Sequence, residues 1–345
     1  FAAALDRCGV RAGDAVVASV SGGCDSVALL HLLATAAPTY APPLRLSVLT
    51  FDHAQRGEAS RADAAFVEAL AARYGLDCDA RVWKNEASSQ AAFRDWRRRE
   101  SVAIATARGG RAHVALGHHA DDETELFLLR LARGARLTKL VSGANETAPP
   151  CFVRPLLREP KNVLIEYLEA RGEGWREDAS NSDASYGLRN AARLEAAPAL
   201  ASLCGGDARL RARLDALRGQ AESLGEWVAA EADARLSRRR ASGELPLEIY
   251  RAAPEPVRHE VLQRLALAAA RAAGHADAYA VPFDGLRDAD ARLRDDATVR
   301  WTCHLPRGVA LERRGDALAC APPPPARSDG RVRVDGRLAH LRVAF

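Results

Sequence analysis

Three short stretches concentrate the side chains able to do chemistry. The first is Ser21-Gly22-Gly23-Cys24-Asp25-Ser26, between the apolar run AVVASV and a helical run. A strand that turns sharply into a helix leaves backbone N–H groups pointing outward, and with the helix dipole these favour an anion. Gly22 and Gly23 let a phosphate approach the backbone, and Ser21 and Ser26 add hydroxyl donors. Asp25 either caps the helix or holds a metal, because a bare carboxylate repels phosphate. No Gly-Lys-Ser/Thr follows the glycines, so the stretch is not a Walker A loop.

The second stretch, GHHADDETE, packs His118, His119, Asp121, Asp122, Glu123 and Glu125 into eight positions. Consecutive residues point in different directions and rarely chelate one ion, whereas Asp122 and Glu125 share a helical face. That pair could hold an ammonium group or Mg²⁺, or be the acidic first turn of an ordinary helix. The third, DASNSDASYGLRNAAR, reads as a loop capping a helix, with Arg189 and Arg193 one turn apart beside Asn190. In SSQAAFRDWRRRES, Arg94 and Arg97 share a face that either contacts phosphate or is merely solvated.

Strand-like and helix-like runs alternate up to about residue 170. Strands are expected over Ala15–Val20, Leu44–Phe51, Asp79–Trp83 and His113–Leu116. Helices are expected over Ser26–Ala36, Ser60–Tyr74, Ser88–Arg108, Glu123–Arg133 and Pro160–Arg171. The implied fold is α/β: a Rossmann-like parallel sheet with helices on both faces, whose ligands bind at the carboxyl ends of strands. SGGCDS, FDHAQRG with His53, and GHHADD all follow strands. A helical segment over 205–295 and a small β piece over 298–345, expected to be truncated, complete a three-part division after 1–200. The β piece is read as Thr298–Cys303, Val309–Arg313, Ala317–Cys320, Arg331–Val334 and Leu338–Val343, interrupted by a Pro-rich spacer at 322–325.

The chain has 345 residues, and 48% hydrophobic with 27% charged residues is ordinary for a soluble globular protein. No apolar run could span a bilayer, and the first residues have no signal-peptide pattern, so a cytoplasmic protein with no membrane partner is expected. Seven cysteines are scattered with no CxxC, which suits reduced thiols. The net charge of +4 falls wholly in 201–345, with 24 basic against 20 acidic residues, and suits a phosphate-bearing partner as well as a mixed surface. The chain holds no Met and does not begin with one. A missing terminal piece, and internal Met positions dropped from the chain, are expected.

SGGCDS together with GHHADD resembles the PP-loop ATP pyrophosphatases, which split ATP to AMP and pyrophosphate while adenylating a substrate. Adding RPLL (Arg154–Leu157) and the SN…RN..R element, the chain resembles the tRNA(Ile)-lysidine synthetase family over roughly residues 10–200. The resemblance implies ligation of L-lysine to C2 of the wobble cytidine in tRNA(Ile) with a CAU anticodon, through an adenylated cytidine. It implies ATP bound by Ser21, Gly22, Gly23, Cys24, Asp25, Ser26 and His53, with Mg²⁺ on Asp25. It maps catalysis onto Asp25, His118, Asp122, Glu125 and Arg97, and substrate binding onto Asp122, Glu125, Arg94, Arg189, Asn190 and Arg193. A homodimer is compatible with the family. Three features depart from the pattern: Ala54 stands where Gly is usual, Glu123 where Gln is usual, and the spacing from Ser180 to Arg189 is one residue longer. A PP-loop tRNA thiolase using Cys24 or Cys151, a small-molecule ligase and a non-catalytic RNA-binding module are the alternatives.

Overall fold

The computed structural model describes residues 1–52, 58–83, 90–140, 151–177, 187–272, 281–295, 300–304 and 309–321. His53, Ser180 and everything read at 322–345 lie outside them. The chain divides into two compact units, residues 1–222 and 223–345.

The first unit runs α1 (Ala2–Arg7), β1 (Ala15–Ser19), α2 (Cys24–Ala36), β2 (Arg45–Asp52), α3 (Glu58–Arg73), β3 (Cys78–Val82), α4 (Gln90–Ala107), β4 (Ala112–Leu116) and α5 (Ala120–Ala132). It continues through α6 (Leu137–Leu140), β5 (Cys151–Val153), α7 (Lys161–Glu169), α8 (Leu188–Ala191), a π-helical turn (Ala192–Ala196) and α9 (Ala197–Cys204) to α10 (Asp207–Leu236), which crosses the unit boundary. All strand pairs are parallel, in the order β3-β2-β1-β4-β5. The expected doubly wound sheet is therefore present.

β1 shows why both faces must be covered. Val16 and Ala18 join a core with α2, α3 and α7, while Ala15 and Val17 join a second core with Ile104 and Ala105 of α4. Successive side chains point to opposite faces, so a strand apolar at every position needs helices on both sides. The order reverses between β1 and β4, whose last paired residues are Ser19 and Leu116. A crevice opens where order reverses, and both chemistry-bearing loops leave the sheet there.

Two elements differ from expectation. α5 begins at Ala120 rather than Glu123, because His119 caps it. β5 is only CFV, too short to leave a periodic signal, and is fixed by pairing with β4.

The second unit contains β6 (Leu245–Pro246), α11 (Leu247–Arg251), α12 (Glu255–Ala272), α13 (Phe283–Arg294), β7 (Arg300–His304), β8 (Ala310–Arg314) and β9 (Ala317–Ala321). The sheet order is β6-β9-β8-β7, antiparallel throughout. The two-residue β6, inside the segment expected to be helical, pairs with β9, and helices and strands share one core. Inside it, Arg258 forks onto Asp290 (Nε–Oδ1 2.6 Å, Nη2–Oδ2 2.8 Å) and Tyr250 donates to the same carboxylate at 2.6 Å. Removing one partner of a buried pair strands the other charge. Arg258→Met is expected to cost about 3 kcal/mol or more, read in urea unfolding, with the double replacement of Arg258 and Asp290 by apolar residues costing less.

Candidate active site at the sheet switch point

Ser21 and Gly22 form the turn after β1. Gly22 has φ +88°, a left-handed conformation that favours glycine, and its carbonyl accepts from Arg176 N at 2.9 Å. Gly23 is the N-cap of α2, with no side chain to cover the first N–H groups. The Ser26 hydroxyl donates to Gly23 O (2.9 Å) and accepts from Ser21 N (3.1 Å), which fixes the loop. The loop is thereby held open as an anion cradle.

Gly117, not singled out in the sequence, is the second structural requirement. A Cβ there would sit 3.0 Å from Asp25 O and 3.1 Å from Ser26 N, both backbone atoms. The space left by its missing side chain lets the end of β4 lie against the first turn of α2. A backbone neighbour cannot swing away, so the signal was steric and invisible in spacing.

His119 is the other residue that spacing missed. Its ring is 2% exposed and lies between two carboxylates, with Nε2 3.6 Å from Asp25 Oδ2 and 3.5 Å from Asp122 Oδ2. It also caps α5: His119 Nδ1 accepts from Asp121 N at 3.2 Å, and Asp122 accepts from His119 N at 3.0 Å. Burial alone would lower the His119 pKa, but Asp25, Asp122 and Asp121 outweigh it and hold it above the ordinary value. Burial would raise Asp122, yet His119, the backbone N–H and Arg189 keep its carboxyl below the usual range. His118 turns away: Arg154 Nε donates to its Nδ1 at 3.1 Å. With Nδ1 accepting, the neutral ring carries its proton on Nε2, a donor suited to phosphate oxygens.

The acids of α5 meet arginines. Arg189 reaches Glu125 (Nε–Oε2 2.7 Å) and Asp122 (Nη2–Oδ1 2.5 Å), while Arg193 Nε reaches Glu125 Oε1 at 2.5 Å. Asp122 and Glu125 do share a face, and the same cluster takes in Arg189 and Arg193; Asn190 lies between them on α8. Glu123 points elsewhere. It is buried against Arg218 of α10 at 3.1 Å, so this third acid stands outside the Asp122–Glu125 face. Arg94 and Arg97 are exposed on α4.

One Asp25 oxygen faces His119, and the other, Oδ1, is buried with no hydrogen-bond partner. An orphaned carboxylate oxygen suits a cation. Among the described residues no three His, Cys, Asp or Glu side chains converge as ligands. A single carboxylate oxygen would fit a Mg²⁺ ion whose other ligands came from outside the protein. Cys24 is buried, and burial first and then Asp25 push its thiol up to about 11. Cys24 packs in the core at the start of α2, and a raised thiol pKa disfavours the thiolate form that a nucleophile needs.

The PP-loop domain matches residues 3–200. The chain belongs to the PP-loop family. Among curated proteins, the tRNA(Ile)-lysidine synthase of Geobacter sulfurreducens is 35% identical over 90% of this chain and 66% of its own length. That of Ruegeria pomeroyi is 37% identical over 61% of this chain and 49% of its own, and that of Exiguobacterium sibiricum 33% over 72% and 58%. The chain thus spans less than two thirds of the length of these relatives. Among solved structures, the U34-tRNA thiolase NcsA from Methanococcus maripaludis aligns with TM-score 0.51 at 17% identity, covering 65% of this chain and 76% of that one. This likeness extends to the fold alone. As a PP-loop protein the chain binds ATP. No helix among the described residues is long and apolar enough to cross a membrane.

Two outcomes follow from the geometry. Gly117→Ala is expected to weaken ATP binding about tenfold, read by calorimetric titration, while circular dichroism keeps its wild-type shape, since overpacking here costs about 1–3 kcal/mol at the site itself. In the native protein, alkylation at pH 8 is expected to leave Cys24 unmodified by peptide mass spectrometry, with labelling only after unfolding.

Proposed function

We propose that the protein ligates L-lysine to C2 of the wobble cytidine in tRNA(Ile) bearing a CAU anticodon, releasing AMP and pyrophosphate. The observation that carries this reading is the continuity of the site. The anion cradle of Ser21–Ser26 is joined through Asp25 and His119 to Asp122, and through Arg189 to Glu125. A phosphate site and an amine-selecting acid pair therefore share one wall, as an adenylation followed by amine attack requires. The names of the relatives support lysine and tRNA as the substrates.

Cytosine C2 is a poor electrophile, and transfer of AMP to its O2 creates a leaving group that an amine can displace. The cradle N–H groups, the His118 Nε2–H, Arg94, Arg97 and His53 would hold and polarise the nucleotide. Mg²⁺ bound at Asp25 would supply charge neutralisation of the phosphates. Asp122 and Glu125 would hold one ammonium group of lysine, and the attacking ε-amine must first lose its proton to a nearby acceptor. The wobble base must leave its stack to reach the crevice. We infer that residues 1–200 carry the chemistry, that 205–295 and 298–345 hold the rest of the RNA through phosphate contacts, and that the protein acts in the cytoplasm, with a homodimer to be checked by sedimentation.

The test is AMP release from radiolabelled ATP with an isoleucine tRNA transcript carrying CAU, with and without lysine. Lysine label entering the RNA, abolished by Asp25→Ala, is the expected result. AMP formed without lysine incorporation would mean another nucleophile, and no AMP under any condition would overturn the enzymatic reading.

A further inference from the structure

Every acid at the start of α5 is matched to an arginine. Asp121 lies 3.6 Å from Arg211, Glu123 3.1 Å from Arg218, Asp122 2.5 Å from Arg189, and Glu125 is gripped by both Arg189 and Arg193. An amine substrate arriving at Asp122 and Glu125 therefore meets no carboxylate without a cation. Adding an ammonium to this closed set would leave one positive charge uncompensated, in a site where Glu125 is only 2% exposed. One guanidinium must leave.

The exposures indicate which. Arg193 is 27% exposed and gives both of its contacts to the buried Glu125, whereas Arg189 gives Glu125 only one, so releasing Arg193 would uncover more of that charge. Arg189 is 53% exposed, and a group already half in water gives up little when it lets go. It also stands in the first turn of the helical run 188–204, and helix termini are the part that opens most readily.

We propose that Arg189 occupies the ammonium subsite as an internal surrogate, and that the amino acid substrate enters by exchange: its ammonium replaces the Arg189 guanidinium at Asp122 and Glu125, and the released guanidinium takes the substrate's carboxylate. The exchange rests on the lysine reading above and deepens it. It is neutral overall, since a zwitterionic head group trades one pair for two. It also makes Arg189 a specificity residue. An amine without a carboxylate displaces the guanidinium but gives it nothing to bind.

The experiment is calorimetric titration of the purified full chain, without RNA, with lysine and with 1,5-diaminopentane, the same amine lacking the carboxylate. Wild type is expected to favour lysine. Arg189→Ala, and Arg189→Gln as a check against local misfolding, are expected to bind the diamine about three- to tenfold more tightly and to lose the preference for lysine. Weakening of both ligands by the same factor in both variants, or no change, would overturn the exchange and leave Arg189 a structural partner of the acids. Diamine and lysine both failing to bind wild type, with lysine-dependent AMP formation still observed, would overturn the exchange alone; failure of that AMP formation as well would overturn the lysine reading beneath it.

Discussion

The parallel pairing of β1 with β4 is the constraint on which the site depends. It brings the loop after Ser19 and the loop after Leu116 to the same end of the sheet, although three strands and three α-helices separate them in the sequence. Contact between them is close enough that the backbone at Asp25 and Ser26 fills the space a side chain at 117 would need. Everything else in the crevice, from the bare N-cap at Gly23 to the capping of α5 by His119, is built on that approach.

Charge is handled differently at the two ends of the crevice. At the cradle the groups are left open to a ligand: the start of α2 has no side-chain cap, and an Asp25 oxygen is without a hydrogen-bond partner. These are the costs a fold carries where a ligand is to complete the structure. Along α5 the acids are instead neutralised by arginines from three separate segments. Four carboxylates within one and a half turns would repel strongly and destabilise the helix if left bare, so the arginines are needed for folding whatever they do in function. The same pairs that stabilise α5 thus stand where a substrate cation would go.

Sequence and structure part company at identifiable residues. GHHADD named a rich loop, but two adjacent histidines cannot be told apart by spacing; only the capping geometry sends His119 inward and leaves His118 with Arg154. Glu123 looked like a third member of the acid group, yet the helical phase turns it toward α10, a segment that folds onto α5 from far along the chain. Gly117 heads the GHHADD stretch, yet nothing in the stretch shows why it must be glycine, because its requirement is an absence of atoms next to a distant backbone.

The sequence by itself determined the α/β alternation, the glycine turn after the first strand, the shared face of Asp122 and Glu125, and the family, because these rest on local conformation, periodicity and motif. Tertiary structure alone decided strand order, which histidine bridges the carboxylates, and which arginine answers which acid. Those depend on contacts between segments far apart in the chain, and neither period nor composition encodes a distance across a sheet.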